Sequence, residues 1–131
     1  MRDHLARIFA AGVAACHPRA VLPAHLPAAP KGRLIVLAVG KAAAAMAEVA
    51  EARYGARAEG IAVVPRGTAG ALNSIELLHA GHPLPNEESV AAAERLLALA
   101  GEAGQDDFVL VLLSGGASAL ACLPGKDLSL E

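Results

Sequence analysis

A chain of 131 residues accommodates one domain with a hydrophobic core and is too short for two ordinary ones. Hydrophobic residues make up 55% and charged residues 18%, which excludes intrinsic disorder; with aromatics at only 2%, the core must be built from Leu, Val, Ile and Ala. A formal net charge of −2, with no basic run interleaved with aromatics, argues against nucleic acid as a partner.

At the amino terminus, Leu5, Ile8, Phe9, Val13 and Cys16 fall on one face at helical spacing and predict a first helix. Val13-Ala14-Ala15-Cys16 superficially matches a lipoprotein cleavage site, but Asp3, His4 and Arg7 leave too short an apolar run before the cysteine. No stretch approaches a transmembrane span, so no membrane partner is expected. Cys16 and Cys122 lack CxxC spacing and have no His at ligand spacing. That pattern predicts free thiols in a reducing, cytoplasmic compartment and no metal site.

Residues 17–32 carry Pro18, Pro23, Pro27 and Pro30 and read as an extended connection over the surface. Leu34-Ile35-Val36-Leu37-Ala38-Val39 follows as a continuous apolar run ended by Gly40, the pattern of a strand buried on both faces. The next helix is expected from Lys41, with Ala42, Met46, Val49 and Arg53 along one face and Gly55 as its stop. Ile61-Ala62-Val63-Val64 is a second buried strand, closed by Pro65-Arg66-Gly67, and residues 74–79 form a third, weaker one. After the Gly81-His82-Pro83-Leu84-Pro85 loop, Asn86 is an N-cap, and Glu87 and Glu88 complement the dipole of the helix it opens. Val90, Ala93, Leu97 and Ala100 would be that helix's buried stripe, and Gly101 and Gly104 surround its end. Residues 108–113 form a fourth strand, and Ser114 opens a glycine turn into a short helix. The order α, β, α, β, β, α, β predicts an α/β fold: a doubly wound, largely parallel, Rossmann-like sheet with helices on both faces. The glycine turn lies so near Glu131 that a truncated protein is expected, with exposed apolar surface that would drive formation of a homo-oligomer.

Ligands of such sheets bind outside the carboxyl ends of the strands. Gly40-Lys41, Pro65-Arg66-Gly67, residues 81–86 and Ser114-Gly115-Gly116-Ala117-Ser118 all fall there, and in a parallel sheet they share one edge. The glycine turn is the strongest candidate: successive backbone N–H groups can point into one concavity, with a helix end behind and hydroxyls of Ser114 and Ser118 on the rim. Lys41 places an ammonium at a helix start, where only an anionic ligand would relieve its repulsion from the dipole. This is not a Walker A loop, because Ile35 stands where its first glycine should be and Ala42 where Ser or Thr should be. His82 is expected to hold its loop by hydrogen-bonding backbone, with substrate contact or proton relay as its other role. Arg66 is a candidate for reading phosphate or carboxylate, although an arginine in a turn is usually solvated. Asp106 and Asp107 precede the last strand, at the opposite edge, and read as turn residues.

Val39-Gly40-Lys41-Ala42-Ala43 with Met46-Ala47, then Gly81-His82-Pro83-Leu84-Pro85-Asn86, then Leu113-Ser114-Gly115-Gly116-Ala117-Ser118-Ala119-Leu120 occur in series. Together they resemble the amino-terminal domain of the glycerate 2-kinase family, whose full-length members carry a carboxy-terminal MOFRL domain absent from this chain. Some members have been labelled hydroxypyruvate reductases. The resemblance implies ATP-dependent phosphorylation of the 2-hydroxyl of D-glycerate with Mg2+ as cofactor. It implies that Lys41 is the active-site lysine and that residues 114–118 bind phosphate or nucleotide; Gly40, Arg66 and His82, from their place at the same strand edge, are candidate substrate contacts. Such chemistry rests on positioning and electrostatic stabilisation. Many relatives have glycine at the position of Ala117, where alanine fits only if φ is negative. A nicotinamide-dependent hydroxypyruvate reductase would instead need a GxGxxG turn, which Gly40-Lys41-Ala42-Ala43-Ala44-Ala45 does not supply. A non-catalytic phosphate-ligand-binding module is the remaining alternative, and the isolated chain is expected to be inactive as a kinase.

Overall fold

The run Leu34–Val39 forms strand β1, and every one of its residues is buried. The computed structural model describes residues 1–130. Around β1 lie β2 (Ala58–Pro65), β3 (Ile75–Ala80) and β4 (Phe108–Leu113), in a parallel four-stranded sheet of order β3-β2-β1-β4. A central strand needs apolar side chains on both faces, and β1 supplies them by alternation. Leu34, Val36 and Ala38 pack beneath helix α3 (Ala43–Tyr54), with Met46, Ala47 and Ala50. Ile35, Leu37 and Val39 turn to the other face, where helix α4 (Glu87–Gly101) contributes Ala92 and Leu96 and the single-turn helix α5 (Ala117–Leu120) contributes Leu120. Helices therefore cover both faces, and the small side chains of the alanine-rich α3 let it sit close to the sheet.

Strands β2 and β3 are parallel although residues 66–74 between them contain no helix. Nine extended residues reach roughly 30 Å, enough to travel back along a strand of roughly 20 Å. The returning chain is anchored on α3. Leu72 packs against the α3-side core, and the Glu51 carboxylate accepts the backbone N–H groups of Asn73 at 2.9 and 3.0 Å, Ser74 at 2.7 Å and Ile75 at 2.9 Å. Partial burial pushes the Glu51 carboxyl upward, but these backbone donors outweigh it and hold it below its ordinary value.

Helix α1 (Arg2–Ala15) forms as the spacing predicts; none of its residues is buried, and Leu5, Ile8, Phe9 and Val13 are 52–73% exposed. Three other local expectations are corrected. The prolines after it do not keep the chain extended throughout: Pro18 takes the first position of a short helix α2 (Pro18–Val21), where its missing N–H costs nothing, and a 3-10 turn follows at Leu22–Ala24. Helix α3 begins at Ala43 rather than Lys41, and of the residues placed along one face Met46 and Val49 are buried while Arg53 is exposed. In α4 the buried face is Ser89, Ala92, Ala93 and Leu96, so Leu97 faces outward. Alanine flanks both registers of that helix, and composition alone does not set its phase. Asp107 is a turn residue as expected, accepting the N–H groups of Gly104 at 2.9 Å and Arg33 at 3.0 Å. Cys16 and Cys122 are free thiols, and no single helix is long and apolar enough to cross a membrane.

The phase of α4 is directly testable: Leu96→Ala should cost about 2–5 kcal/mol in urea unfolding, and Leu97→Ala should stay within about 0.5 kcal/mol of the parent. Glu51 makes an acid-side prediction. Because its folded pKa is depressed, its stabilisation is complete above the unfolded value of about 4.3 and is lost as pH falls through the lower folded value. Glu51→Gln should therefore flatten the decline of stability with acidification, measured as unfolding midpoints from pH 7 downward.

Candidate functional site

Parallel strands bring the carboxyl ends of β1, β2, β3 and β4 to one edge, and the loops that follow them meet there. The turns after β1 and β4 are joined into a single structure. Ser114 donates its N–H to the Val39 carbonyl at 3.0 Å, Lys41 donates its N–H to the Gly115 carbonyl at 2.9 Å, and the Ala42 N–H donates to Ser114 Oγ at 3.0 Å. Gly40 permits this approach. Its φ is +129°, and a Cβ there would lie 2.1 Å from Ser114 Oγ, so no other residue fits without moving β4. The Gly40 N–H donates to the Val63 carbonyl and the Gly40 carbonyl accepts from Ala43 N–H, so Gly40 also holds the start of α3 against the sheet. Ser114 also belongs to the clasp: its hydroxyl oxygen accepts the Ala42 N–H through a lone pair, which leaves its O–H as a donor.

Beyond the clasp the chain enters the single-turn helix α5. Among the described residues, the backbone N–H groups of Gly115, Gly116, Ala117 and Ser118 have no protein acceptor. Successive backbone N–H groups without acceptors are the kind of donor set from which anion-binding concavities are built. Gly116 has φ +93°, whereas no non-glycine residue among the described residues has positive φ, so Ala117 sits without strain. Helix α5 is only four residues long, so the N–H groups themselves rather than a long helix dipole provide the positive field.

Two side chains border this loop. A Cβ built on Gly116 would lie 3.2 Å from Lys41 Cε and 3.0 Å from both Cδ2 and Nε2 of His82. Lys41 is exposed and has no ion-pair partner among the described residues. His82 is half-buried, and its ring makes no hydrogen bond among the described residues, so it does not brace its loop as expected. That task falls to Asn86 and Ser89. The Gly81 N–H donates to Asn86 Oδ1 at 3.0 Å and Ser89 Oγ at 3.2 Å, and the Asn86 N–H donates to Ser89 Oγ at 3.2 Å. Ser89 is fully buried and completes a capping box with Asn86. Its position three residues after the N-cap was the signal in the sequence that would have found it.

Arg66 is drawn away from the loop. Its Nε donates to Glu88 Oε2 at 2.9 Å and its Nη2 to Glu88 Oε1 at 2.5 Å. The hydrogen bond and charge of Glu88 raise the Arg66 pKa, while Arg66 and Asn86 lower that of Glu88. In this structure Arg66 contacts Glu88 at the start of α4. A shallow cavity of about 310 Å³ lined by Pro65, Arg66, Gly81, His82, Pro83, Leu84 and Asn86 adjoins the site. A larger cleft of about 430 Å³ between α2 and the second half of α3, lined by Arg19, Pro23, Glu48 and Arg53, contains none of the loops that carry candidate chemistry. Among the described residues no group of three or more His, Cys, Asp or Glu side chains is placed to hold a metal ion.

Fold and site together define an open, parallel α/β domain whose loops gather a lysine, a histidine and a glycine turn at the carboxyl edge of the sheet. The chain belongs to the glycerate 2-kinase family, as its amino-terminal domain: residues 4–131 match the family model described as "Domain of unknown function (DUF4147)". It is 41% identical over 101 residues to a glycerate 2-kinase of Pyrococcus horikoshii, covering 77% of this chain and 23% of that protein. It is 37% identical over 121 residues to a D-glycerate 2-kinase of Thermotoga maritima, covering 91% and 29%. An Agrobacterium vitis protein provisionally named a hydroxypyruvate reductase is 41% identical over 130 residues, covering 98% and 30%. Among solved structures, a Pyrococcus horikoshii OT3 protein superposes with TM-score 0.84 at 31% identity over 98% of this chain and 32% of its own. The Thermotoga maritima glycerate kinase does so with TM-score 0.81 at 35% identity over 95% and 30%. The chain thus spans 23–30% of the length of these curated relatives.

The clasp generates a stability prediction. Ser114→Ala leaves the Ala42 N–H without its acceptor and should cost about 1–3 kcal/mol, whereas Ser118→Ala, at an exposed position, should stay within about 0.5 kcal/mol. Chemical denaturation of the two variants side by side measures the difference.

Proposed function

We propose that this domain supplies the phosphoryl-handling face of a cytoplasmic ATP-dependent kinase that phosphorylates the 2-hydroxyl of D-glycerate, acting within a longer protein. The observation that carries the reading is the convergence of the Lys41 side chain on a loop with four successive unbonded amides. The relatives named as glycerate kinases supply the reaction class. Both free thiols suit a reducing compartment.

In this reading the N–H groups of residues 115–118 donate to non-bridging phosphate oxygens, and the Lys41 ammonium neutralises charge that builds as the phosphoryl group moves. Neither group forms a covalent bond; both act by position and field, which suits phosphoryl transfer. The concavity fits a phosphate of ATP, and ATP supplies the group to be transferred. The side chains here offer no ligand set for Mg2+, so no step of this domain is routed through the ion. Closure over the site by further chain, such as a MOFRL domain, would exclude water and strengthen each of these interactions.

A nicotinamide-dependent hydroxypyruvate reductase is the second reading, favoured by the name of the Agrobacterium vitis relative. The turn after β1 weighs against it, because Gly40 is followed by Lys41 and a run of alanines rather than a glycine fingerprint. Three measurements decide the matter. In a full-length protein carrying this domain, Lys41→Ala should lower kcat for ATP and D-glycerate by roughly 100-fold or more. The isolated 131-residue chain should turn over no faster than its own Lys41→Ala variant, since its site is open to water. Quenching of NAD(P)H fluorescence by the full-length protein, without ATP-dependent turnover, would replace the kinase with the reductase.

A further inference from the structure

The two edge strands of the sheet are built differently. Strand β3 carries Glu76 and His79, both exposed, and Arg95 of α4 pairs with Glu76. Charge of this kind keeps a sheet edge from pairing further. Strand β4 reads Phe108-Val109-Leu110-Val111-Leu112-Leu113, with no charged or hydrogen-bonding side chain, the composition of a strand covered on both faces. Among the described residues it pairs only with β1. The Phe108 and Ser114 N–H groups donate to the Arg33 and Val39 carbonyls. By the alternation of a strand, the N–H groups of Val109, Val111 and Leu113 then point to the free edge.

The two faces of β4 are also covered unequally. On the α3 face Leu112 is buried, Leu110 packs against the core, and only Phe108 at the start of the strand is exposed. On the α4 face Val111 is 55% and Leu113 66% exposed, because α4 and α5 pack chiefly over β1, β2 and β3. Crossover handedness gives that bare face a meaning. The step from β1 to β2 runs one way across the sheet with α3 on one face. The step from β3 to β4 runs the other way with α4 on the opposite face, as right-handed crossovers require. A strand beyond β4 continues the second direction, so its crossover helix falls on the α4 face, over Val111 and Leu113.

We propose that β4 is an interior strand of a larger sheet, whose free edge and bare face take a helix and a fifth parallel strand from polypeptide that follows α5 in a longer protein. The inference rests on the reading that this domain acts within a longer protein, and not on its kinase activity. The curated relatives, of which this chain spans 23–30%, have the length for such a unit. A second copy of the chain fits less well, since an antiparallel pair of β4 strands joins the edges but sets no helix over Val111 and Leu113. The fifth strand would lie about 4.8 Å beyond β4. The loop at its carboxyl end then arrives beside residues 114–118 and adds groups to the site from that side.

The test compares amide exchange, read residue by residue, in the 131-residue chain and in a full-length protein carrying this domain, with sedimentation of both. In the 131-residue chain the Val109, Val111 and Leu113 amides should exchange freely, while those of Leu110 and Leu112, on the β1 side, are protected. In the longer protein the three should slow by roughly 100-fold or more. Val111→Lys and Leu113→Lys, made singly, should leave the urea midpoint of the 131-residue chain unchanged and lower that of the longer protein. Equal exchange of the three amides in both proteins would overturn the added strand. Slowing without any loss of stability in the lysine variants would overturn the covering helix. A dimer in both proteins, lost in Val111→Lys, would overturn the choice of occupant and assign the edge to a second copy. Protected β4 amides in a full-length protein without kinase turnover would remove the proposed activity and uphold the fifth strand.

Discussion

The clasp between the turns after β1 and β4 is the constraint on which the site depends. Its bonds, Lys41 N–H to Gly115, Ala42 N–H to Ser114 Oγ and Ser114 N–H to Val39, use up the polar groups nearest the sheet. The next four amides, at the start of the single-turn helix α5, have no protein acceptors among the described residues. The clasp exists only because residue 40 has no side chain, since a Cβ at that position would overlap the Ser114 hydroxyl. Steric permission at one glycine thus fixes where Lys41 leaves the backbone and how the glycine turn is presented.

Packing on the two faces of the sheet does the rest. The alternation of β1 divides the core between α3 on one side and α4 with α5 on the other, so the start of α3 and the turn before α5 approach the same edge from opposite faces. Helix α4 then matters for its first turn more than for its length. Ser89, fully buried there, gathers the Gly81 and Asn86 N–H groups, while the Ser89 carbonyl accepts from the Cys122 N–H just beyond α5. One buried serine links the His82 loop to the element that follows the glycine turn. Charge plays a smaller part: the ion pairs of Arg66 with Glu88 and of Arg95 with Glu76 lie at the surface, where such pairs contribute little.

Much of this architecture was legible in residues 34–113, for physical reasons that differ from element to element. A continuous apolar run such as Leu34–Val39 fits only a strand covered on both sides, which implies helices on both faces before any is located. Asn86 followed by Glu87 and Glu88 marks a helix start by local hydrogen bonding and charge alone. The errors occur where local signals are degenerate. In α4, alanines at many positions make two helical faces nearly equivalent in hydrophobicity, and packing against the sheet chose Leu96 over Leu97. In α1, spacing established the helix but carried no information on whether anything covers Leu5, Ile8 and Phe9. The helix-free return from β2 to β3 depends on a carboxylate of α3 accepting N–H groups more than twenty residues away, which no local pattern encodes.

The same division separates what was determined at each level for the site. The sequence by itself determined the chemistry available: Lys41 after a glycine at the end of a buried strand, a glycine turn at the end of another, and a histidine in a proline-stiffened loop. Those are consequences of backbone freedom, helix capping and strand burial, which act over a few residues. Only the tertiary structure decided how that chemistry is used. It tied Ser114 and Gly40 into the clasp, turned Arg66 toward Glu88, and brought His82 across the width of the sheet to Gly116 and Lys41. Strand order causes this difference. The order β3-β2-β1-β4 sets which loops are neighbours, and strand order is settled by packing among elements distant in the chain.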